Sequence, residues 1–304
     1  MFVYKEYCSS ILKWSKKRKF LHLLLLKYTL YIIYIFILYI SPMKKTSRWI
    51  KALAIFNVIA FIVVLVINYL ANALPIGGIS TGALSDLYPN LFVPVGLTFS
   101  IWGLIYLMLG VFVVYQIVDV YKKQSKGIVQ KIGIWFLLSC LTNIAWIFAW
   151  QYQQVFLSVG IMFLFLAILI VLSYKVSIGH KLGKRWEKIC VQVPFSLYLG
   201  WLSVATIANI TTLLVHIGWS GRWMTDIFWT TIVIVVAALL ALMALYKNAD
   251  IVYSLVVIWA FLGIILKRLA VDPVYASSII WVLGICIAVI SLGIGLRFEK
   301  WKKN

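Results

Sequence analysis

Charged and protonatable groups are scarce in this chain. Its 304 residues hold eight Asp and Glu, three His and four Cys, and only 12% of them are charged. A soluble domain carries about 25% charged residues, and a water-facing surface needs polar cover that this composition lacks. Cys8, Cys140, Cys190 and Cys286 are scattered, form no CxxC pair and have no His cluster beside them. Neither a disulfide framework nor a zinc site is therefore indicated. Nearly all of the few carboxylates and histidines fall in loops or at helix ends, as Asp119, His180 and His216 do. No HExxH, GxSxG or P-loop pattern occurs. An enzyme, which must gather acid, base or nucleophile in one place, is not expected. A proton-driven pump is disfavoured too, because no charge falls at mid-membrane depth.

What the chain has in excess is apolar surface: 64% hydrophobic residues and a mean hydropathy of +1.03. Lipid is the solvent that fits. A helix needs about 20 apolar residues to cross the hydrocarbon core. Spans are expected at 52–71, 97–119, 132–150, 155–174, 190–214, 227–246, 251–267 and 275–296. The fold class is thus an all-α integral membrane protein of about eight helices. The net charge of +20 is not a nucleic-acid signal, because the bases cluster between spans on alternate sides. One side carries Lys44, Lys45, Arg48 and Lys51, then Lys122, Lys123, Lys126 and Lys131, then Lys175, Lys181, Lys184, Arg185 and Lys188, then Lys247 and the tail Arg297, Lys300, Lys302 and Lys303. The other side carries only Arg222, Lys267 and Arg268. By the positive-inside rule both ends, counted from Met43, face the cytoplasm. Trp49, Trp186, Trp219, Trp223 and Trp301 lie near the interfaces, where aromatic anchors are expected. Lys267 next to Arg268 at a helix end reads as a snorkelling side chain rather than a retinal Schiff-base lysine.

The first 42 residues break this order. Residues 20–41 are apolar enough to span, yet basic clusters flank them on both sides, which frustrates any topology. The stretch contains no glycine and is built mostly from Lys, Tyr, Ile, Leu, Phe and Ser. We read 1–42 as an extension upstream of a true start at Met43, against the rival of a basic signal-like anchor without a small-residue cleavage site. Two further divisions are expected, a membrane core at 43–215 and three more helices with a basic cytoplasmic tail at 216–304.

The connection 72–95 is the longest, has no Lys or Arg, and contains Pro75, Gly77, Gly78, Gly82, Pro89 and Pro94. It cannot be one continuous helix. A loop of this length over a bundle mouth serves as a lid or binding loop, or is simply an ordered surface loop. Three spans then place aromatic and amide residues at helical spacing. Trp102, Tyr106 and Gly110 share one face of the second span. Asn143, Trp146 and Trp150 do so in the third, and Tyr198, Trp201, Ala205 and Asn209 in the fifth. An asparagine in a span faces the bundle interior, because lipid offers its amide no partner. Its aromatic face-mates should be interior as well. They are either ordinary packing or the walls of a pocket for a flat apolar ligand.

These motifs carry a family resemblance. Pro94, Trp102, Tyr106 and Gly110 keep the second-helix spacing of the TspO/MBR family, the tryptophan-rich sensory proteins related to the mitochondrial translocator protein (peripheral benzodiazepine receptor). Asn143 and Trp146, with Phe148 and Trp150, resemble its third-helix pattern. Tyr198, Trp201, Ala205, Thr206 and Asn209 resemble its fifth, with Leu197 and Val204 replacing a Pro and a Phe. The first loop lacks the family's usual Trp-Tyr start and double Pro. The resemblance covers roughly 50–215. It implies a five-helix TspO-like bundle, here followed by three further helices, with a pocket beneath the first loop. It also implies a hydrophobic, tetrapyrrole-like ligand such as porphyrin or haem, bound for sensing or facilitated movement without a required cofactor or metal. The ligand-binding residues would be Pro94, Trp102, Tyr106, Asn143, Trp146, Trp150, Tyr198, Trp201 and Asn209. The expected partners are that small molecule and the lipid bilayer, not nucleic acid, with a homodimer left open. The expected location is a bacterial cytoplasmic membrane, acting as receptor or in transport. The alternative is a permease for a small apolar molecule whose path uses the last three helices.

Overall fold

Eight long helices, joined by short turns and one long loop, make up most of the described chain. They are α1 (Ser47–Asn72), α2 (Ile101–Tyr121), α3 (Trp135–Gln151), α4 (Val155–Ser177), α5 (Val193–His216), α6 (Asp226–Asn248), α7 (Ile251–Val271) and α8 (Ser277–Lys303). The computed structural model describes residues 47–73, 76–122, 127–177, 185–219, 221 and 224–303. The extension 1–42 with its expected boundary at Met43, and the residues Lys44, Lys45, Pro75, Lys123, Lys126, His180, Lys181, Lys184, Arg222 and Trp223, lie outside them. No strand occurs among the described residues. Seven helices are long and apolar enough to cross a membrane, and α3 is a shorter apolar helix of 17 residues. Large side chains such as Leu107 (65% exposed), Phe163 (52%) and Trp281 (74%) point outward. Lipid, not water, is the solvent for such a surface.

Local chemistry sets the helix ends. Thr225 Oγ1 accepts from Phe228 N at 3.3 Å and Asp250 Oδ1 from Tyr253 N at 3.0 Å, so α6 and α7 each begin on a side-chain cap. A π-turn at Lys188–Gln192 feeds α5, whose first turn holds Pro194, where the missing N–H costs nothing. The third span starts later than its hydropathy suggests. Gly133, at φ 60 and ψ −136, ends a short helix Ile128–Ile132, and α3 begins only at Trp135. That left-handed backbone is one glycine adopts without strain. Asp119, at the end of α2, accepts from Ile128 N at 3.2 Å and fastens the short helix to the bundle.

Helix α4 packs on both α3 and α5, α2 lies against α5, and α7 joins the last three helices to α5. A Cβ on Gly200 would sit 3.1 Å from Val256 Cβ and 3.2 Å from the Tyr253 carbonyl, so α5 and α7 run nearly backbone to backbone. Within lipid such close packing, rather than the hydrophobic effect, holds helices together. Ser254 Oγ donates to the Ala241 carbonyl at 3.0 Å and ties α7 to α6. Deep in the core, Phe112, Phe136 and Phe195 from α2, α3 and α5 meet at centroid distances of 5.1, 4.9 and 6.2 Å. This phenylalanine layer is fully buried, and the candidate site lies between it and the long loop.

Candidate functional site

Trp102 is the hub of the site. Its ring stacks on Tyr106 at 5.5 Å and on Trp146 at 6.1 Å, and meets Tyr198 and Trp201 edge-on at 6.0 and 6.3 Å. Trp146 stacks in turn on Trp150 at 5.9 Å, and Phe99 abuts Trp201 at 5.9 Å. Aromatic pairs in these geometries add about 0.5–1.5 kcal/mol each beyond their buried area. Helical spacing had put each set on one face of its own helix. The fold turns the three faces toward one another.

Amides thread the rings. Asn143, fully buried in α3, donates through Nδ2 to Tyr198 OH at 2.9 Å and to Tyr106 OH at 3.3 Å. Its Oδ1 accepts from Asn68 Nδ2 of α1 at 2.8 Å. Asn209 Oδ1 accepts from Trp146 Nε1 at 3.2 Å, and its Nδ2 donates to Ser158 Oγ at 3.0 Å. Every helix of the five-helix core thus sends a polar atom into the network. Two polar atoms of the site stay outside the network: Trp201 Nε1 and Gln151 Oε1 are buried and, among the described residues, have no hydrogen-bond partner.

The long loop closes the site. Ser80 Oγ caps a short helix, Thr81–Asp86. Thr81 is fastened three ways: its carbonyl accepts from Trp150 Nε1 at 3.2 Å, its Oγ1 from Gln151 Nε2 at 3.3 Å, and its N donates to Asn72 Oδ1 at 3.3 Å. The loop returns through a 3-10 turn, Gly96–Ser100, that is gripped by α7. Val95 N donates to the Gly263 carbonyl at 3.0 Å, and Trp259 Nε1 to the Thr98 carbonyl at 3.0 Å. Lys267 pairs with Asp86. It is therefore an ion-pair partner of the loop rather than a freely snorkelling lysine.

Two spaces adjoin Trp102. The inner one, lined by Pro94, Phe99, Trp146, Trp150, Trp201 and Asn209 among others, holds only about 40 Å³. That is room for about three or four waters at about 10–15 Å³ each. The outer one is a groove of about 760 Å³ between α1, the loop and α2, lined by Leu65, Asn68, Asn72, Ser80, Gly103 and Tyr106. Thr81, Phe99 and Trp102 line both spaces and form the partition between them. No group of three His, Cys, Asp or Glu able to hold a metal occurs among the described residues.

A family profile described as TSPO-like protein matches residues 54–296. The chain belongs to the TSPO-like family. No curated protein and no solved structure matches it. The family match runs through α6, α7 and most of α8, beyond the stretch on which the sequence resemblance rested. With its apolar helices, this TSPO-like chain is an integral membrane protein.

All nine residues singled out from the sequence lie in this one cluster of the TSPO-like chain. Asn68, Thr81, Gln151, Ser158 and the α7 residues Trp259 and Gly263 were missed. Asn68 had a legible signal, an amide inside an apolar span. The others bond across large sequence distances, 161 residues for Trp259 and Thr98, and no local pattern marks them. Trp219, expected near an interface, is half-buried and meets Trp229 edge-on at 5.1 Å.

Proposed function

We propose that this TSPO-like protein binds a flat hydrophobic molecule of tetrapyrrole type against Trp102, and that its output is sensing or facilitated movement rather than turnover. The observation that carries the reading is the position of Trp102: one ring borders a ligand-sized groove and, with Trp146 and Trp201, a small inner cavity. A groove of about 760 Å³ falls within the roughly 300–1,000 Å³ of small-molecule sites, whereas 40 Å³ does not. The ligand docks first in the groove, on the faces of Trp102 and Tyr106. Seating against Trp146, Trp150 and Trp201 requires the helix Thr81–Asp86 to lift, and Trp201 Nε1 then gains the acceptor it lacks. A carboxylated rim meets the amides of Asn68 and Asn72 and the Ser80 hydroxyl, with Lys267, paired to Asp86, at the groove's edge. By the charge asymmetry of the loops, this face lies away from the cytoplasm.

The full chain in lipid nanodiscs, titrated with protoporphyrin IX and followed by tryptophan quenching, tests the proposal. Saturable quenching is expected at micromolar concentration. A Gly103→Leu substitution puts a side chain into the groove where a Cβ meets nothing within 4 Å, and it should weaken binding while sparing stability. Trp201→Ala should weaken seating in the inner cavity. Quenching no greater than in an unrelated membrane protein removes the tetrapyrrole reading. Saturable binding with transfer of porphyrin across proteoliposomes would favour the permease alternative over a sensor.

A further inference from the structure

A long groove of about 830 Å³ runs down the outer side of α2, between it and α1. It extends from Leu65 and Gly103 near the loop to Val118 and Cys190, at the end of the bundle that carries the basic clusters. The helix rise of about 1.5 Å per residue makes the stretch from Gly103 to Val118 about 22 Å long. That exceeds the roughly 15 Å of hydrocarbon in one leaflet. Two glycines deepen the groove. A Cβ at Gly103 would meet nothing within 4 Å, and one at Gly110 would meet only the Phe61 ring, at 3.7 Å. Leu107 and Val114, on the same wall, are each 65% exposed. A buried amide pair holds α1 beside α2 at this spacing: Asn57 Nδ2 donates to Gln116 Oε1 at 2.9 Å.

Any acyl chain can brush an apolar wall that faces lipid. What distinguishes this groove is charge at one end. Lys122 follows α2 one turn past Val118, Lys51 of α1 rests over the Tyr121 ring at 5.3 Å, and Lys188 stands in the π-turn two residues before Cys190. All three, and Arg48 near the start of α1, are exposed. None of the four has an ion-pair partner among the described residues. The carboxylates on the elements that border the groove are Asp119 of α2 and Glu187 just before the π-turn. Each is only 5% exposed, and Asp119 already accepts from Ile128 N at 3.2 Å. No charged residue lines the groove itself. Exposed positive charge at one end, with hydrocarbon along the rest, complements a phospholipid with an anionic headgroup. A second copy of this chain fits poorly, since a two-fold contact through this face would set the same bases against one another.

We infer that the groove is a binding site for one anionic phospholipid: its phosphate lies among Lys51, Lys122 and Lys188, and an acyl chain runs along Val118, Val114 and Gly110 toward Gly103. The inference does not rest on the tetrapyrrole reading, because the bases that define it lie at the far end of α2 from Trp102. Failure of either leaves the other standing.

Native mass spectrometry of the full chain tests it, with phosphatidylglycerol or phosphatidylcholine of identical acyl chains added to the detergent-purified protein. One phosphatidylglycerol should be retained under activation that strips phosphatidylcholine. Lys51→Gln/Lys122→Gln should lower its affinity about thirtyfold, the loss expected of two bases at a lipid surface. Lys247→Gln/Arg297→Gln removes two bases of the same end from α6 and α8, away from the groove, and should leave the affinity unchanged. Val114→Trp adds bulk to the groove from an exposed position, where folding tolerates it, and should expel the lipid although every base remains. The inference is overturned if both lipids are retained alike, or if the remote pair costs as much as the groove pair, which would make the whole basic end a diffuse lipid surface. It is overturned too if Val114→Trp keeps full affinity, because the headgroup would then bind without a chain in the groove.

Discussion

Gly263 is the point at which the C-terminal helices decide the geometry of the loop, and replacing it with alanine probes that coupling directly. A Cβ at 263 would lie 1.9 Å from Thr98 Oγ1, 2.8 Å from its Cγ2 and 2.9 Å from its Cβ. Unbonded carbons are at ease at about 3.5–4.0 Å, so α7 or the 3-10 turn must retreat by about 1 Å. Thr98 is 2% exposed and β-branched, which leaves its side chain no free rotamer to escape into. Overpacking of this kind costs about 1–3 kcal/mol. The same retreat stretches the bonds Val95 N to Gly263 O and Trp259 Nε1 to Thr98 O, both 3.0 Å, each contributing about 0.5–1.5 kcal/mol. The sum is roughly 2–6 kcal/mol, or a melting point lower by about 4–24 °C at 2–4 °C per kcal/mol. Thermal unfolding followed by a thiol-reactive dye is a suitable assay, because Cys140 is 5% exposed in the core. Thr98→Ala removes Oγ1 and Cγ2 and should restore part of the loss in the Gly263→Ala background. Gly160→Ala, whose Cβ meets nothing within 4 Å, should melt no lower than the parent protein. A Gly263→Ala protein melting within roughly 1 °C of the parent, or one that Thr98→Ala does not rescue, would refute the idea that α7 holds the loop in place.

Two further outcomes follow from the amide and indole partners in the cluster. Asn143→Ala breaks bonds to Asn68, Tyr106 and Tyr198 at once; at about 0.6 kcal/mol per bond in lipid, and up to 1.7, it should cost about 2–5 kcal/mol in the same melting assay. Trp201→Phe removes the buried indole N–H that has no acceptor, so relief of that donor offsets the lost ring volume and stability should stay within about 1 kcal/mol of the parent. Its protoporphyrin affinity, read by the remaining tryptophans, should nonetheless fall, since the donor is satisfied only in the complex.

The sequence made the spans and the site legible for one reason: both rest on helical period and on the cost of polar groups in lipid. Asn143 and Asn209 had to turn inward, and the aromatic residues at i+3, i+4 and i+7 turned with them. What stayed hidden depends on backbone conformation or on partners distant in sequence. The break at Gly133 needs a left-handed residue, and hydropathy averages over it. The Thr81–Asp86 helix is six residues long, too short for periodicity to register. Lys267 looked like a snorkelling lysine because its partner Asp86 is 181 residues away. For the same reason α7 could not be assigned a role: its contacts to the loop pass through a glycine, a carbonyl and an indole N–H, none of which marks a contact in one dimension.

The small volume of the inner cavity, about 40 Å³, bears on how a ligand would arrive, and the Thr81 fastening gives that question a magnitude. Three hydrogen bonds hold Thr81, to Trp150, Gln151 and Asn72. At about 0.5–1.5 kcal/mol each they place the lifted state some 1.5–4.5 kcal/mol above the closed one, an open fraction of about one in ten to one in two thousand. A ligand that needs the open state binds with its affinity reduced by that fraction. Thr81→Val deletes the Oγ1 acceptor in a side chain of the same shape, while Gln151 Nε2 keeps its 2.9 Å bond to the Ala71 carbonyl. The closed state then loses one bond and no buried donor is stranded. The open fraction should rise about two- to tenfold. Stopped-flow mixing with protoporphyrin IX should show the seating rate rising by the same factor, with the dissociation rate little changed. If instead the rate is unchanged and the groove variant Gly103→Leu still abolishes binding, the ligand rests in the groove alone, and the inner tryptophans are packing for the partition that Trp102 forms.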